Sequence, residues 1–324
     1  VDEPVKLPDG LLMDETDEQR GGSRTDLRGI PLVTIDGADA RDFDDAVWAE
    51  PDPDVEGGWH IVVAIADVAL YVRPGKPLDR DAFRRGNSAY FPDRVVPMLP
   101  EALSNDLCSL RPGEDRACMA VHMWIDAQGE LKRHQFVRGL MRSAARLTYE
   151  QVQDAREGRH DDTTGPLLDT VIAPLYAAYE VLNAARIRRG TLELDLPERQ
   201  VRLDEAGGVV EITPRKRLDS HRLIEEFMIC ANVAAAEALE ARSMPCLYRV
   251  HDQPSMDKLE TLRSFLQGLG YSLNKGTLKP ADFTRILERA RGTDEGSLIS
   301  EVILRSQAQA AYSPENIGHF GLAL

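Results

Sequence analysis

Thr34-Ile-Asp-Gly-Ala-Asp-Ala-Arg-Asp-Phe-Asp-Asp-Ala-Val47 packs Asp36, Asp39, Asp42, Asp44 and Asp45 into one short turn. Carboxylates crowded this tightly repel one another, so a folded chain avoids the arrangement unless cations neutralise it or one group stays protonated. The flanking residues say where the turn sits. Ile30 to Ile35 is an apolar, β-branched run that reads as a buried strand, and Gly37 and Ala38 are small enough for a sharp turn after it. Ala46 to Ala49 resumes an extended apolar pattern, while Phe43 among the acids implies that part of the turn is buried. Acids at a strand end and on the following turn converge on one point, which is how a rigid hard-cation site is built.

Two other readings of the turn are a solvated acidic loop and a calcium EF-hand. The EF-hand needs oxygen ligands at loop positions 1, 3 and 5, and counting from Asp36 puts Ala38 and Ala40 at the second and third of these. An all-oxygen site with room for substrate phosphates suits Mg²⁺ or Mn²⁺.

The same stretch, TIDGADARDFDDAV, resembles the signature of the RNase II/RNase R family of exoribonucleases, whose catalytic RNB domain carries four aspartates at this spacing. YFPDRVVPMLPEALSNDLCSLRPGEDR from Tyr90, RSAARLTY from Arg142, RLIEEFMICAN from Arg222, YRVHDQP from Tyr248 and ENIGHFGLAL from Glu315 resemble further family blocks, in the family's order. The resemblance implies an α/β (mixed α+β) fold, a mixed β-sheet flanked by α-helices around a central RNA channel. It also implies a magnesium-dependent 3′→5′ exoribonuclease that hydrolyses single-stranded RNA to nucleoside 5′-monophosphates, with Mn²⁺ able to substitute for Mg²⁺. Asp36, Asp42 and Asp45 are then metal ligands, and Asp44 matches the aspartate most critical to turnover, through a second ion or the attacking water.

RNA contacts follow from the same blocks. Tyr90 matches a tyrosine that stacks on bases near the 3′ end, Tyr149 one that lies near the terminal ribose, and Glu225 an acid that reaches a ribose hydroxyl and so helps to select RNA over DNA. At Leu194 family members often carry a phenylalanine; leucine offers an apolar wall without a π-face. The GHFGLAL block leads in the family to an HFTSPIRRY-like segment whose arginine stabilises the phosphate in the transition state. The sequence stops before it, so the chain is expected to be a piece of something longer that turns over poorly alone.

Composition sets the bounds. With 324 residues, 43% hydrophobic and 29% charged, the chain reads as one large catalytic domain over 29–324 preceded by an extension or linker over 1–28. A net charge of −15 argues against a generally basic nucleic-acid binder, yet a threaded strand needs only a locally positive channel. Flanking OB-fold domains, which the family carries, supply the remaining RNA affinity. No run is long enough to span a membrane, and Cys108, Cys118, Cys230 and Cys246 lack metal-binding spacing, so buried free thiols and a cytoplasmic setting are expected.

Along the chain, Trp59 to Val72 reads as a long central strand with its continuation, and Asp67 within it as a structural hydrogen-bonding acid or a neighbour of the metal site, the first favoured because nothing in the spacing ties it to the cluster. Prolines 92, 97 and 100 make Asn87 to Pro100 an irregular, stiff segment. Ala117 to Ile125 and Leu131 to Val137 form a hairpin, Tyr149 opens a short helix to about Glu157, and Pro174 kinks a helix over 167–189. Short strands are expected over 191–196, 201–203 and 209–213, a basic cluster at 214–217, and a helix over 221–242 capped by Ser220. A strand over 246–250 and helices near 255–268, 280–291 and 295–311 complete the chain. Arg142 and Arg146 read as an ordinary solvated pair, as do Glu225 and Glu226 from residue type alone. Competing with the nuclease are a non-catalytic RNA-binding relative of the same fold and an unrelated Mg²⁺-dependent nucleotide phosphohydrolase.

Overall fold

Alternation along the strands builds two cores back to back. In the computed structural model, which describes residues 24–194, 199–204, 207–214, 216–276 and 278–324, seven strands form one mixed sheet. They are β1 (Thr25–Asp26), β2 (Val33–Asp36), β3 (Asp45–Pro51), β4 (Trp59–Ala66) and, after a short hairpin of β5 (Ala89–Tyr90) with β6 (Val95–Val96), β7 (Asp115–Ile125), β8 (Leu131–Arg142) and β9 (Ala145–Thr148). Their spatial order is β1-β8-β7-β4-β3-β2-β9. Neighbours are antiparallel except at the two margins, where β1 runs parallel to β8 and β9 parallel to β2.

Successive strand residues face opposite sides of a sheet. Along β4, Ile61 and Val63 therefore enter one core and Val62, Ala64 and Ala66 the other. The first core is closed by α-helices: Val152 and Ala155 of α1 (Tyr149–Arg156), Leu175, Tyr176 and Tyr179 of α2 (Ala173–Arg189), and Leu223, Ile224 and Phe227 of α3 (Asp219–Glu240). The second is closed by the segment between β4 and β7, through Ala82, Leu99, Leu103, Cys108 and Leu110.

The chain divides into two compact units, residues 1–182, 200–213 and 217–234 in the first, and 183–199, 214–216 and 235–324 in the second. The sequence had suggested one domain from residue 29 onward. The second unit has its own apolar core, in which Leu259, Leu262 and Leu266 of α4 (Met256–Gly268), Phe283 and Ile286 of α5 (Pro280–Ala290), and Ile299 and Ile303 of α6 (Gly296–Ser306) meet. A two-stranded ribbon of β12 (Tyr248–Val250) and β13 (Ala311–Ser313) belongs to it, while β10 (Arg199–Leu203) pairs with β11 (Val209–Pro214).

Several expectations are corrected. Residues 24–28, expected in the linker, join the folded unit: Thr25 and Asp26 pair with Gly139 and Leu140 in the sheet, and Leu27 is buried. Gly139 is required there, since a Cβ would lie 2.5 Å from Leu27 Cδ1 and 2.9 Å from Cys118 Sγ. The strand from Trp59 stops at Ala66, because Asp67 turns the chain into a single helical turn over Val68–Tyr71. Asp67 is structural, the reading its spacing from the acid turn favours, paired with Arg24 at 2.7 Å in a nearly solvent-free setting. Ser220 lies inside α3 and not at its cap; its hydroxyl donates to the Tyr149 carbonyl at 2.8 Å. Residues 191–194 are not a strand, and α6 ends at Ser306 before β13, short of the helix expected to 311. Residues 1–23, the end of the strand expected over 191–196, part of the 205–208 turn and Arg215 of the basic cluster lie outside the described residues. The four cysteines are free, Cys108 and Cys118 buried and Cys230 and Cys246 half-buried. No helix among the described residues is long and apolar enough to cross a membrane.

Candidate active site

The acid loop is a connection between adjacent antiparallel strands. Asp36 is the last residue of β2 and Asp45 the first of β3, with Val33 opposite Val47 setting the register. The loop is pinned along most of its length. The Gly37 amide donates to Asp36 Oδ1 at 2.8 Å and Ala40 N to the Gly37 carbonyl at 3.1 Å. Phe43, buried as the sequence implied, donates its amide to Ser109 Oγ at 3.0 Å and accepts from Leu110 N at 2.8 Å. The Asp44 carbonyl accepts from Ala66 N at 2.8 Å.

Arg146 completes the fastening. It stands on β9 opposite Thr34 of β2, and one of its terminal nitrogens donates to the carbonyls of Ala38 at 2.8 Å and Ala40 at 3.2 Å. Its guanidinium also lies 4.9 Å from the centre of the Phe43 ring. Sequence reasoning had treated it as half of a solvated pair; only Arg142 fits that description, exposed and joined to Asp115 at 2.7 Å.

Electrostatics ties the acids together. Burial, and then repulsion from Asp36 and Asp44, pushes Asp45 up to about 6. Desolvation by neighbouring atoms, and then Asp42 and Asp36, pushes Asp44 up to about 6 although its side chain reaches solvent. Asp36 is raised by burial, with Asp42 and Asp39 adding to the rise and the Gly37 amide and Arg146 opposing it. Thus Asp36, Asp42, Asp44 and Asp45 act on one another, and Asp45 Oδ2 is buried with no hydrogen-bond partner among the described residues.

An orphaned buried carboxylate oxygen amid repelling acids is what a hard cation would satisfy. Among the described residues no group of three or more His, Cys, Asp or Glu side chains is placed to hold a metal ion by itself. Mg²⁺ does not require one, because it keeps several waters and binds through one or two carboxylates plus substrate phosphates. The residues present therefore fit a hydrated, substrate-completed Mg²⁺ or Mn²⁺ site.

The implied RNA-contacting residues divide between the two units. Tyr90, on the β5–β6 hairpin and 68% exposed, donates its hydroxyl to Asp42 Oδ2 at 3.3 Å, so its ring stands free beside the acids. Tyr149 directly follows Thr148, which is opposite Asp36 in the parallel β2–β9 pair, so both emerge at the same end of the sheet. Thr148 and Gln151 form a reciprocal cap that starts α1 at Tyr149. The Tyr149 ring stacks on His221 at 4.0 Å between centres and 16° between planes, a pairing the sequence did not reveal. His221 Nδ1 accepts from Leu218 N at 3.1 Å, which leaves its ring proton on Nε2.

Glu225, one turn beyond His221 on α3, forms an ion pair with Arg217. Glu226, expected on an exposed face, is buried. Leu194, in the second unit, is partly buried against that unit's own apolar core, with Leu192 beside it.

Comparisons with known proteins bear on this geometry. A family model described as the RNB domain matches residues 24–324. The chain is 44% identical over 316 residues to ribonuclease R of Escherichia coli (strain K12), which is 97% of this chain and 38% of that protein. It is 42% identical over 331 aligned residues to ribonuclease R of Aquifex aeolicus (strain VF5), 99% of this chain and 46% of that protein. The chain therefore spans less than half the length of these curated relatives. Among solved structures it matches Mycoplasma genitalium RNase R in complex with ribose methylated single-stranded RNA, with a TM-score of 0.89 at 28% identity over 96% of this chain and 49% of that one. Yeast Ssd1, a pseudonuclease, shares the fold with a TM-score of 0.75 at 18% identity over 99% of this chain and 38% of that one. Backbone likeness alone thus does not separate nuclease from pseudonuclease.

Proposed function

Because the chain belongs to the RNB domain family, we propose that it is the catalytic part of a Mg²⁺-dependent 3′→5′ exoribonuclease that hydrolyses single-stranded RNA to nucleoside 5′-monophosphates. The observation that carries this reading is the acid loop: four mutually repelling aspartates, one with a buried oxygen lacking any partner among the described residues. A pseudonuclease has no need to retain so costly an arrangement.

Asp36, Asp42 and Asp45 would hold the divalent cations, and Asp44 would serve turnover through a second cation or the attacking water, with Mn²⁺ able to replace Mg²⁺. When bound, such cations supply an activated water and neutralise charge on the leaving oxygen. The protein's own groups do the positioning. Tyr90 offers its exposed ring to a base, Tyr149 lies at the terminal ribose, and Glu225 accepts from a ribose hydroxyl, which favours RNA over DNA. Leu194, within the second unit, offers RNA an apolar wall without a π-face. In the full-length protein, OB-fold domains on either side bring in the RNA, in keeping with the greater length of the relatives, and the four free thiols suit a cytoplasmic setting.

The test uses full-length protein, end-labelled single-stranded RNA and Mg²⁺, with Asp44→Asn alongside the wild type. Stepwise release of mononucleotides from the 3′ end, lost in the variant while RNA binding survives, supports the reading. Internal cleavage products or equal activity of the variant reject it. Phosphate release from mononucleotides, with polymers untouched, would favour the phosphohydrolase.

A further inference from the structure

The two halves of the acid loop are held by different means. From Arg41 to Asp45 the backbone is fixed by buried groups, through Ser109, Leu110 and Ala66. From Gly37 to Ala40 it is fixed by the Gly37 amide on Asp36 Oδ1, by the turn hydrogen bond from Ala40, by Ala40 packing on the second core and by Arg146; between those ends Ala38 and Asp39 are exposed, so no core packing restrains these two. This second half sets the separation between Asp36 and Asp42. One terminal nitrogen of Arg146 reaches it at two carbonyls while the guanidinium lies over the ring of Phe43, the buried anchor of the first half. One side chain thus joins the two halves.

We infer that Arg146 is a positioning residue that holds the aspartate loop in its cation-accepting shape and thereby sets its affinity for divalent cations. The inference rests on reading the loop as a Mg²⁺ or Mn²⁺ site. Two effects of Arg146 oppose each other. Its positive charge repels a cation, but it is solvent-exposed, where screening leaves little of that repulsion. Its hydrogen bonds to two carbonyls are charge-assisted, and losing them lets the Gly37–Ala40 stretch sample other shapes, so that ordering it must be repeated on binding. The ordering effect is the larger. Lysine keeps the charge and a donor nitrogen but has no planar guanidinium to hold that nitrogen in place over Phe43.

The experiment is a Mn²⁺ titration of the full-length protein followed by electron paramagnetic resonance, comparing wild type with Arg146→Ala, Arg146→Lys and the nearby Arg142→Ala. Thermal melts in chelator are run in parallel. Affinity is expected to fall about tenfold in Arg146→Ala and several-fold in Arg146→Lys, and to stay unchanged in Arg142→Ala, at temperatures well below every melt. Equal or tighter binding by Arg146→Ala, or full retention by Arg146→Lys, overturns the inference while leaving the metal site standing. Loss of melting temperature with unaltered affinity also overturns it, since that is the signature of a purely structural arginine. If Arg146→Ala does not fold, Arg146→Lys decides. Failure of the wild type to bind Mn²⁺ rejects the metal reading and this inference with it.

Discussion

Replacing Asp45 by asparagine should make the cation-free protein more stable, not less. The Asp45 carboxyl titrates near pH 6 in the folded chain and near 3.8 as an ordinary side chain. Folding therefore carries no penalty from this group below about pH 4, a growing one as pH rises to 6, and a full one above. The full penalty is on the order of 3 kcal/mol at pH 7, from about 1.4 kcal/mol for each pH unit of displacement. It is an upper bound, because part of the rise is repulsion shared with Asp36 and Asp44. An amide in the same place is uncharged but leaves a polar atom without a partner, which takes back about 1 kcal/mol. The net expectation for Asp45→Asn is a gain of about 1–2 kcal/mol at pH 7.5 in chelator, shrinking towards zero at pH 4. Urea unfolding followed by tryptophan fluorescence reads the right region, since Trp48, Trp59 and Trp124 lie on β3, β4 and β7. Saturating Mg²⁺ should reverse the order by stabilising the wild type alone. A variant less stable than wild type at pH 7.5 without metal would refute the account of strained acids.

Other perturbations follow from the same structure. Asp67→Ala deprives Arg24 of a carboxylate in a buried setting and should cost about 3 kcal/mol in urea unfolding; a change under about 1 kcal/mol would show that the pair is dispensable. Asp161 is held down at about 2, first by the Thr164 amide and then by Gln151 and the Thr164 hydroxyl, so it contributes stability above its ordinary 3.8 that is lost as pH falls towards 2. Asp161→Ala should therefore melt below wild type at pH 7, with the gap narrowing beneath pH 4; a gap independent of pH would contradict this. At His221, phenylalanine keeps the ring under Tyr149 and loses the acceptor for Leu218, whereas asparagine keeps an acceptor and loses the ring. RNA affinity by fluorescence anisotropy should survive His221→Phe and drop about fivefold in His221→Asn, the worth of an aromatic pair; the reverse order would make His221 a helix cap only.

The parts of this protein legible in its sequence are those in which chemistry and chain order coincide. The acid loop announced itself because its carboxylates are consecutive in sequence and an apolar strand leads in. Phe43 signalled the burial that the structure shows. What escaped was set by register. Nothing in RSAARLTY says that β9 lies parallel to β2 with Arg146 opposite Thr34, yet that alignment turns a surface arginine into a clamp and brings Tyr149 to the end of the sheet where Asp36 lies. The two-residue strand β1 was invisible because it is too short to alternate, and its place depends on the missing side chain of Gly139 across the sheet. Ser220 carries a capping residue's signature, but its hydroxyl is taken by the Tyr149 carbonyl and the helix starts one residue earlier. Asp67 ended a strand that hydrophobicity alone would have continued to Val72, since pairing with Arg24 fixes its side chain and the chain turns there.

The central claim is that the turn between β2 and β3 gathers its aspartates around a divalent cation. Crystals of the protein soaked in Mn²⁺ and measured at the manganese absorption edge test it directly. The account predicts an anomalous peak between Asp36 and Asp45, within coordination distance of Asp45 Oδ2. A well-ordered acid loop with no peak there at millimolar Mn²⁺, or peaks confined to other surface acids, would contradict it.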